Sequence, residues 1–323
     1  MGVADFGGLP LACDAGACHT EGRIGFSRGC GVEAGARRRY GVALVTLSAV
    51  MWSTAGLFVR WAGLDTWTMV GWRSLFTALV LGTLAVVQAR RRGERLITRF
   101  GRPEAVTVAV SCVSAMTYVL SLRLTTVANV MIVYATVPFI ATAIAYVWVG
   151  ERITRRFMVA GVVVLAAIGA MAGGAASARD AWGLLAALVM TCGFGAQLVN
   201  ARAHPGLDMS LLTAIAALVC VPLAMPFMAP GIPAPHQLCA AALYGGVTTG
   251  LAYVLAMAGG RLIGSGEAGL ISMLDVVLGP VWVWLIFDER PVTAAMISGA
   301  VVLGTVLWYL MGDQDKARER RVA

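Results

Sequence analysis

Ionisable side chains are scarce inside the long apolar runs of this 323-residue chain, so the few found there are the first places to look for chemistry. Asp275 lies about ten residues into one run, Arg73 some seven residues into another, and Glu267 opens the run that carries Asp275. A charge at the middle of a lipid-embedded helix costs about 2.5–3.5 kcal/mol on insertion scales, so it must face protein or water. Asp275 then reads either as a site for a proton or a substrate amine, or as a structural aspartate that caps a helix or pairs with Arg73. Arg73 either meets a solute or snorkels to the nearby interface. Glu267 either meets a solute or complements the dipole at a helix start.

Neutral polar residues share these runs: Tyr118, Asn129, Tyr134, Gln197, Asn200 and Tyr253. Tyr118-Val119-Leu120 and Tyr253-Val254-Leu255 repeat one another. Such residues either touch substrate or make interhelical hydrogen bonds worth about 0.6 kcal/mol each. Trp282 and Trp284 read as cavity or lipid-belt residues, while Trp148, Trp182 and Trp308 sit near run ends as a belt would. Pro138 and Pro280 each remove a backbone donor inside a helix and free a carbonyl nearby, which makes a hinge or a packing kink.

Enzyme chemistry finds little support. The three histidines, His19, His204 and His236, lie in the tail or in loops. There is no HExxH, GxSxG or Walker pattern and no paired intramembrane aspartate. Of the seven cysteines, Cys13, Cys18 and Cys30 lie in the N-terminal tail and Cys112, Cys192, Cys220 and Cys239 in apolar runs; no CxxC pair suggests a metal or redox site. No cofactor is expected.

The elements that position these residues follow from composition. The chain is 59% hydrophobic and 13% charged, with mean hydropathy +0.79. Soluble domains carry about 25% charged residues, so too little polar surface remains to cover a water-soluble globule. The net charge of +8 is spread over short runs between apolar segments, a membrane-protein pattern that excludes a nucleic-acid patch. A helix of roughly 20 residues spans the hydrocarbon core of about 30 Å. Ten spans are predicted: 41–63, 67–89, 104–122, 127–149, 156–174, 182–203, 209–228, 236–258, 265–287 and 292–312. Each must be helical, because lipid offers no partner for backbone polar groups.

One stretch occurs twice. Residues 128–156 and 266–294 are apolar, contain a proline and carry a Glu-Arg pair, Glu151-Arg152 matching Glu289-Arg290 at an offset of 138. Arg123-Leu124 matches Arg261-Leu262, and Met158, Gly161, Val163, Val164 and Leu165 match Met296, Gly299, Val301, Val302 and Leu303. Two copies of five spans enter the bilayer from opposite sides, the inverted arrangement that suits alternating access. Arginine-rich segments at 37–39, 90–102, 152–156 and 316–321 fall on one side, which places both termini in the cytoplasm.

The chain resembles the EamA-type transporters of the drug/metabolite transporter superfamily over roughly residues 40–312. The residues that carry the resemblance are Trp52-Ser53, Arg73, Leu122-Arg123-Leu124-Thr125-Thr126, and Pro138 followed by Gly150-Glu151-Arg152. The second half departs: Asp275 stands where Glu is common, Val276 replaces a proline, Pro280 follows four residues later, and Asp288 replaces the glycine before Glu289. The resemblance implies an all-α integral membrane protein of ten transmembrane helices in two inverted five-helix repeats. It also implies transport or export of small metabolites. The expected organisation is a disordered cytoplasmic tail (1–39), a first repeat (40–174), a second repeat (175–312) and a cytoplasmic C-terminal tail (313–323) of an inner-membrane protein. The function expected is secondary, non-ATP-driven export of a small organic or amino-acid-like solute through a central cavity; a non-transporting scaffold or receptor is the alternative. Trp52, Arg73, Tyr118, Asn129, Tyr134, Gln197, Asn200, Tyr253, Glu267, Asp275 and Trp282 are the candidate solute contacts, with Pro138 and Pro280 as hinges. The expected partners are the solute, the lipid bilayer, a coupling proton and, as a candidate, a second copy of the chain.

Overall fold

Long apolar runs bounded by Gly, Pro and Asp fold as helices, and their ends follow local signals. The computed structural model describes residues 27–93, 100–150, 155–173, 178–204, 206–263, 268, 271–289, 293, 296–305 and 307–308. Among them there is no strand. In chain order the helices are α1 (Ser27–Ser53), α2 (Ala55–Ala62), α3 (Thr66–Arg92), α4 (Arg102–Leu124), α5 (Val127–Tyr134) and α6 (Val137–Val149). There follow α7 (Arg155–Gly173), α8 (Ala178–Ala203), α9 (Met209–Ala224), α10 (Pro235–Ala242), a π-helical stretch (Leu243–Leu251), α11 (Ala252–Gly260) and α12 (Leu274–Phe287). Asp65 caps α3 by accepting from Trp67 N and Thr68 N at 3.1 and 3.0 Å. Asp208 caps α9 in the same way, from Ser210 N and Leu211 N at 3.0 and 3.1 Å.

Among the described residues, seven helices are long and apolar enough to cross a membrane: Arg37–Ala62, Thr66–Arg91, Arg102–Leu124, Val127–Trp148, Ala178–Ala201, Met209–Phe227 and Pro235–Gly260. Three shorter apolar helices, Met158–Ala167, Leu274–Phe287 and Met296–Thr305, accompany them. Large apolar side chains stand exposed all around, among them Val147, Leu165, Leu285 and Val162. A surface of that kind is matched to lipid and not to water.

Several helices differ from the predicted spans. Helix α1 begins at Ser27, inside the stretch expected to be a disordered tail, although Gly29, Gly31 and Gly35 are poor helix formers. The first span breaks at Thr54, whose hydroxyl turns back to Met51 O at 2.6 Å. The fourth breaks at Ala135-Thr136, where Pro138 denies an amide to the carbonyl four residues before it. The ninth resumes after a turn at Met273, and Pro280 lies inside α12, seven residues beyond that break. Asp275 is therefore in the first turn of a half-helix, not deep in an unbroken span. The tenth span is described over Met296–Thr305, and Glu267 lies outside the described residues.

Packing between helices is close. Helix α4 runs along α8, α3 along α9, and α1 along α11. Helices α5 and α6 also pack on α8, while α12 packs on α1 and α2, and α5 touches α12 at the centre. Small residues allow the approach: a Cβ on Gly245 would lie 2.1 Å from Arg73 O of α3, and one on Gly259 would lie 2.8 Å from Gly41 O of α1.

Candidate functional site

Helical spacing puts the polar residues of several spans on one inward face. On α4, Ser111, Ser114, Ala115 and Tyr118 follow the i, i+3, i+4, i+7 pattern of a single face. On α8, Met190, Phe194 and Gln197 do the same. The π-helical stretch widens the repeat to five residues, with Thr249 Oγ1 donating to Tyr244 O at 3.1 Å, and so brings Tyr244, Thr248 and Thr249 to the same side as Tyr253. Trp52, Ala55, Arg73, Tyr134, Thr213 and Asp275 complete the lining of a cavity with about 920 Å³ of empty volume, its open mouth included.

Interrupted helices converge here. Trp52 and Ala55 flank the break at Thr54, Tyr134 precedes the break at Ala135-Thr136, and Asp275 follows the turn at Met273. Hydroxyls secure these breaks. Thr54 and Thr248 share a hydrogen bond of 2.8 Å, and Thr136 Oγ1 donates to Val133 O at 2.7 Å. Unwound backbone is tolerated at membrane depth where it lines a cavity or is buried in protein.

The cavity holds one cation and one anion. Arg73 is 5% exposed, donates from Nη2 to Ala115 O at 3.0 Å, and lies 5.1 Å from the centre of the Tyr244 ring. Asp275 is also 5% exposed. No ion pair joins the two, so the structural pairing open to them in the sequence is not made. Arg73 Nε, Asp275 Oδ1, Tyr244 Oη and Ser111 Oγ are all buried without a hydrogen-bond partner. Buried polar atoms are nearly always paired, so four unpartnered ones on residues that line a single cavity are exceptional. The Tyr134 and Phe194 rings, both in the lining, meet at 5.7 Å and add an aromatic surface.

The structure brings Trp52, Arg73, Tyr118, Tyr134, Gln197, Tyr253 and Asp275 together around this cavity. It places three other candidates elsewhere. Asn129 donates to Thr125 Oγ1 at 3.0 Å, next to the start of α5. Asn200 donates to Pro103 O at 2.8 Å and Thr107 Oγ1 at 2.7 Å, fastening α8 to α4. Trp282 Nε1 donates to Ser53 Oγ at 2.8 Å. Sequence reasoning missed Tyr244, Thr248, Ser111 and Ser114. The serines were marked by their helical stripe, but the tyrosine and threonine needed the π register, which no residue pattern announces.

Among solved structures, the fold is similar to a crystal structure described only as that of a protein, with a TM-score of 0.59 at 17% identity over 82% of this chain and 94% of the other. No curated protein matches the sequence. The model of the EamA-like transporter family matches residues 39–172. Residues 39–172 are thus similar to the EamA-like transporter family, which belongs to the drug/metabolite transporter superfamily, and with its apolar helices long enough to cross a bilayer the chain is a multi-pass membrane protein.

Proposed function

We propose that the chain is a secondary transporter that moves a small dipolar organic solute, amino-acid-like in its charges, by alternating access through the central cavity. The carrying observation is one cavity lined by Arg73, Asp275, Tyr244 and Ser111, of which Arg73 Nε, Asp275 Oδ1, Tyr244 Oη and Ser111 Oγ have no hydrogen-bond partner. Arg73 meets an anionic group, Asp275 meets an ammonium or a proton, and the tyrosines with Phe194 cover an apolar or aromatic flank. Export through the inner membrane, with both termini cytoplasmic, is the direction that the family resemblance and the arginine placement favour.

The inverted arrangement of repeats 40–174 and 175–312, with ten spans and short tails, draws support from three features. The breaks at Ala135 and Met273 stand 138 positions apart. So do the left-handed residues that end α6 and α12, Gly150 at φ 76° and Asp288 at φ 52°. The packing pairs also correspond: α4 on α8 answers α11 on α1, and α5–α6 on α8 answer α12 on α1–α2, while α3 on α9 answers itself. Exchange of the two halves' conformations then turns a cavity open to one side into one open to the other.

The test is flux in vesicles containing the full-length chain. Phenylalanine, phenethylamine and 3-phenylpropionate compare a dipolar solute with its cationic and anionic relatives. Transport of phenylalanine above both relatives is the expected result. No flux of any of the three, alongside intact folding, would side with a scaffold or receptor. Because a solute ammonium and a proton compete for Asp275, acid slows phenylalanine flux; Asp275→Asn removes that acid sensitivity along with preference for the amine. Unchanged flux and pH dependence in Asp275→Asn would sink the proton-site reading.

A further inference from the structure

We infer that Arg60 and Glu289 form a latch that shuts one end of the cavity and opens for the solute to pass. The inference rests on the transporter reading above. Arg60 Nε donates to Glu289 Oε2 at 2.8 Å and Nη2 to Oε1 at 3.2 Å, a two-pronged pair between the two halves. The same guanidinium donates to Leu122 O at 2.7 Å and Thr125 O at 3.1 Å, at the C-terminus of α4. Glu289 in turn accepts from Val127 N at 3.2 Å, the first amide of α5. A cation thus sits on the carbonyl end of one helix and an anion on the amide end of the next, as both helix dipoles favour.

Position makes this a closure. Arg60 lies five residues beyond cavity-lining Ala55, and Leu122 four beyond Tyr118. Val127 lies seven before Tyr134, and Glu289 follows the end of α12. All four mark the same end of the bundle, beyond the lining. Toward the other end the lining extends to Thr213, in the second turn of α9. The pair's side chains are 22% and 24% exposed, so water can replace these bonds as they part, unlike a fully buried pair. By sequence alone the other half repeats the charges with a one-residue shift: Gly206-Leu207-Asp208 begins four residues after Arg202 where Gly63-Leu64-Asp65 begins three after Arg60, and Glu151 matches Glu289.

Accessibility of the cavity reads the latch without any transported solute. The full-length chain with its seven cysteines replaced by serine carries Tyr118→Cys as reporter. A separate Trp61→Cys chain, at an exposed site on the latch end, identifies that side in vesicles. The probe is a membrane-impermeant charged maleimide applied to each side in turn. Glu289→Gln and Arg60→Gln should each speed reporter labelling from the latch side about fivefold, the population shift of about 1 kcal/mol of lost pairing. The double variant should exceed neither single, because the two groups act as one unit. Thermal unfolding and size-exclusion profiles check that each variant folds, with Arg60→Lys as the milder second variant. Unchanged latch-side labelling in the folded variants overturns the latch, as do single effects that multiply in the double. A reporter that reacts in the parent from the far side but ignores the variants sinks the latch alone. A reporter that reacts from neither side in any chain sinks the cavity reading and the latch with it.

Discussion

Arg73 and Asp275 show how a residue's surroundings decide its role. Each is an expensive group to bury, and among the described residues Ala115 O and the Tyr244 ring offset the cost for Arg73. Arg73→Gln should therefore weaken phenylalanine binding at least about tenfold, by removing a charge-assisted contact worth roughly 1.5–3 kcal/mol, and leave phenethylamine binding nearly unchanged. Binding calorimetry on purified protein checks this; equal losses for both solutes would show that Arg73 only supports the fold. Trp282 makes the opposite case. Its indole N–H is satisfied by Ser53, so Trp282→Phe should lower thermal stability by about 1 kcal/mol and leave flux intact. Both residues were legible as polar groups in apolar runs, but only packing separates the one that faces the cavity from the one that fastens α12 to α1.

At the scale of elements, the broken helices and the close crossings matter most. Pro138 announced the interruption before α6, because a missing amide has a local, sequence-readable effect. Pro280 announced nothing comparable: α12 continues through it, and the break lies at Met273. The break at Thr54 and the π-helical stretch carry no proline at all. The two are joined by the Thr54–Thr248 bond, a contact between residues 194 positions apart that no local signal shows. The crossing of α3 with the π-helical stretch depends on Gly245, whose carbonyl also accepts from Thr77 Oγ1 at 3.0 Å. Gly245→Ala would press a methyl group onto the backbone of Arg73. It should destabilise the protein by about 1–3 kcal/mol, the usual cost of overpacking. Gly246→Ala, whose Cβ would find Val80 at 3.5 Å, should be close to neutral. Thermal unfolding of the pair distinguishes close approach from a general intolerance of bulk.

For the whole molecule, the contacts between the two repeats are the parts that must yield in the proposed alternating-access cycle. Cys112 on α4 and Cys220 on α9 bring their sulfurs within 3.0 Å across that boundary, and both are buried. Oxidising the pair with copper phenanthroline should staple the halves and stop flux, with recovery on reduction. Cys112→Ser and Cys220→Ser should each be insensitive. Flux that persists after mass spectrometry confirms the bond would mean that these helices keep their relative position through the cycle.

Composition and periodicity alone determined that this chain is helical and lives in a membrane, because the shortage of charge and the need to pair every backbone group in lipid admit little else. The 138-residue echo pointed to two related halves, and the residues of the EamA resemblance pointed to a transporter. Only the tertiary structure decided which polar residues meet. A cavity is a property of faces from many helices at once, and the rotation of each face depends on breaks, π register and glycine crossings set by distant partners. For that reason Arg73 and Asp275 could be named from the sequence, while the cavity they share and the ion pair of Arg60 with Glu289 could not.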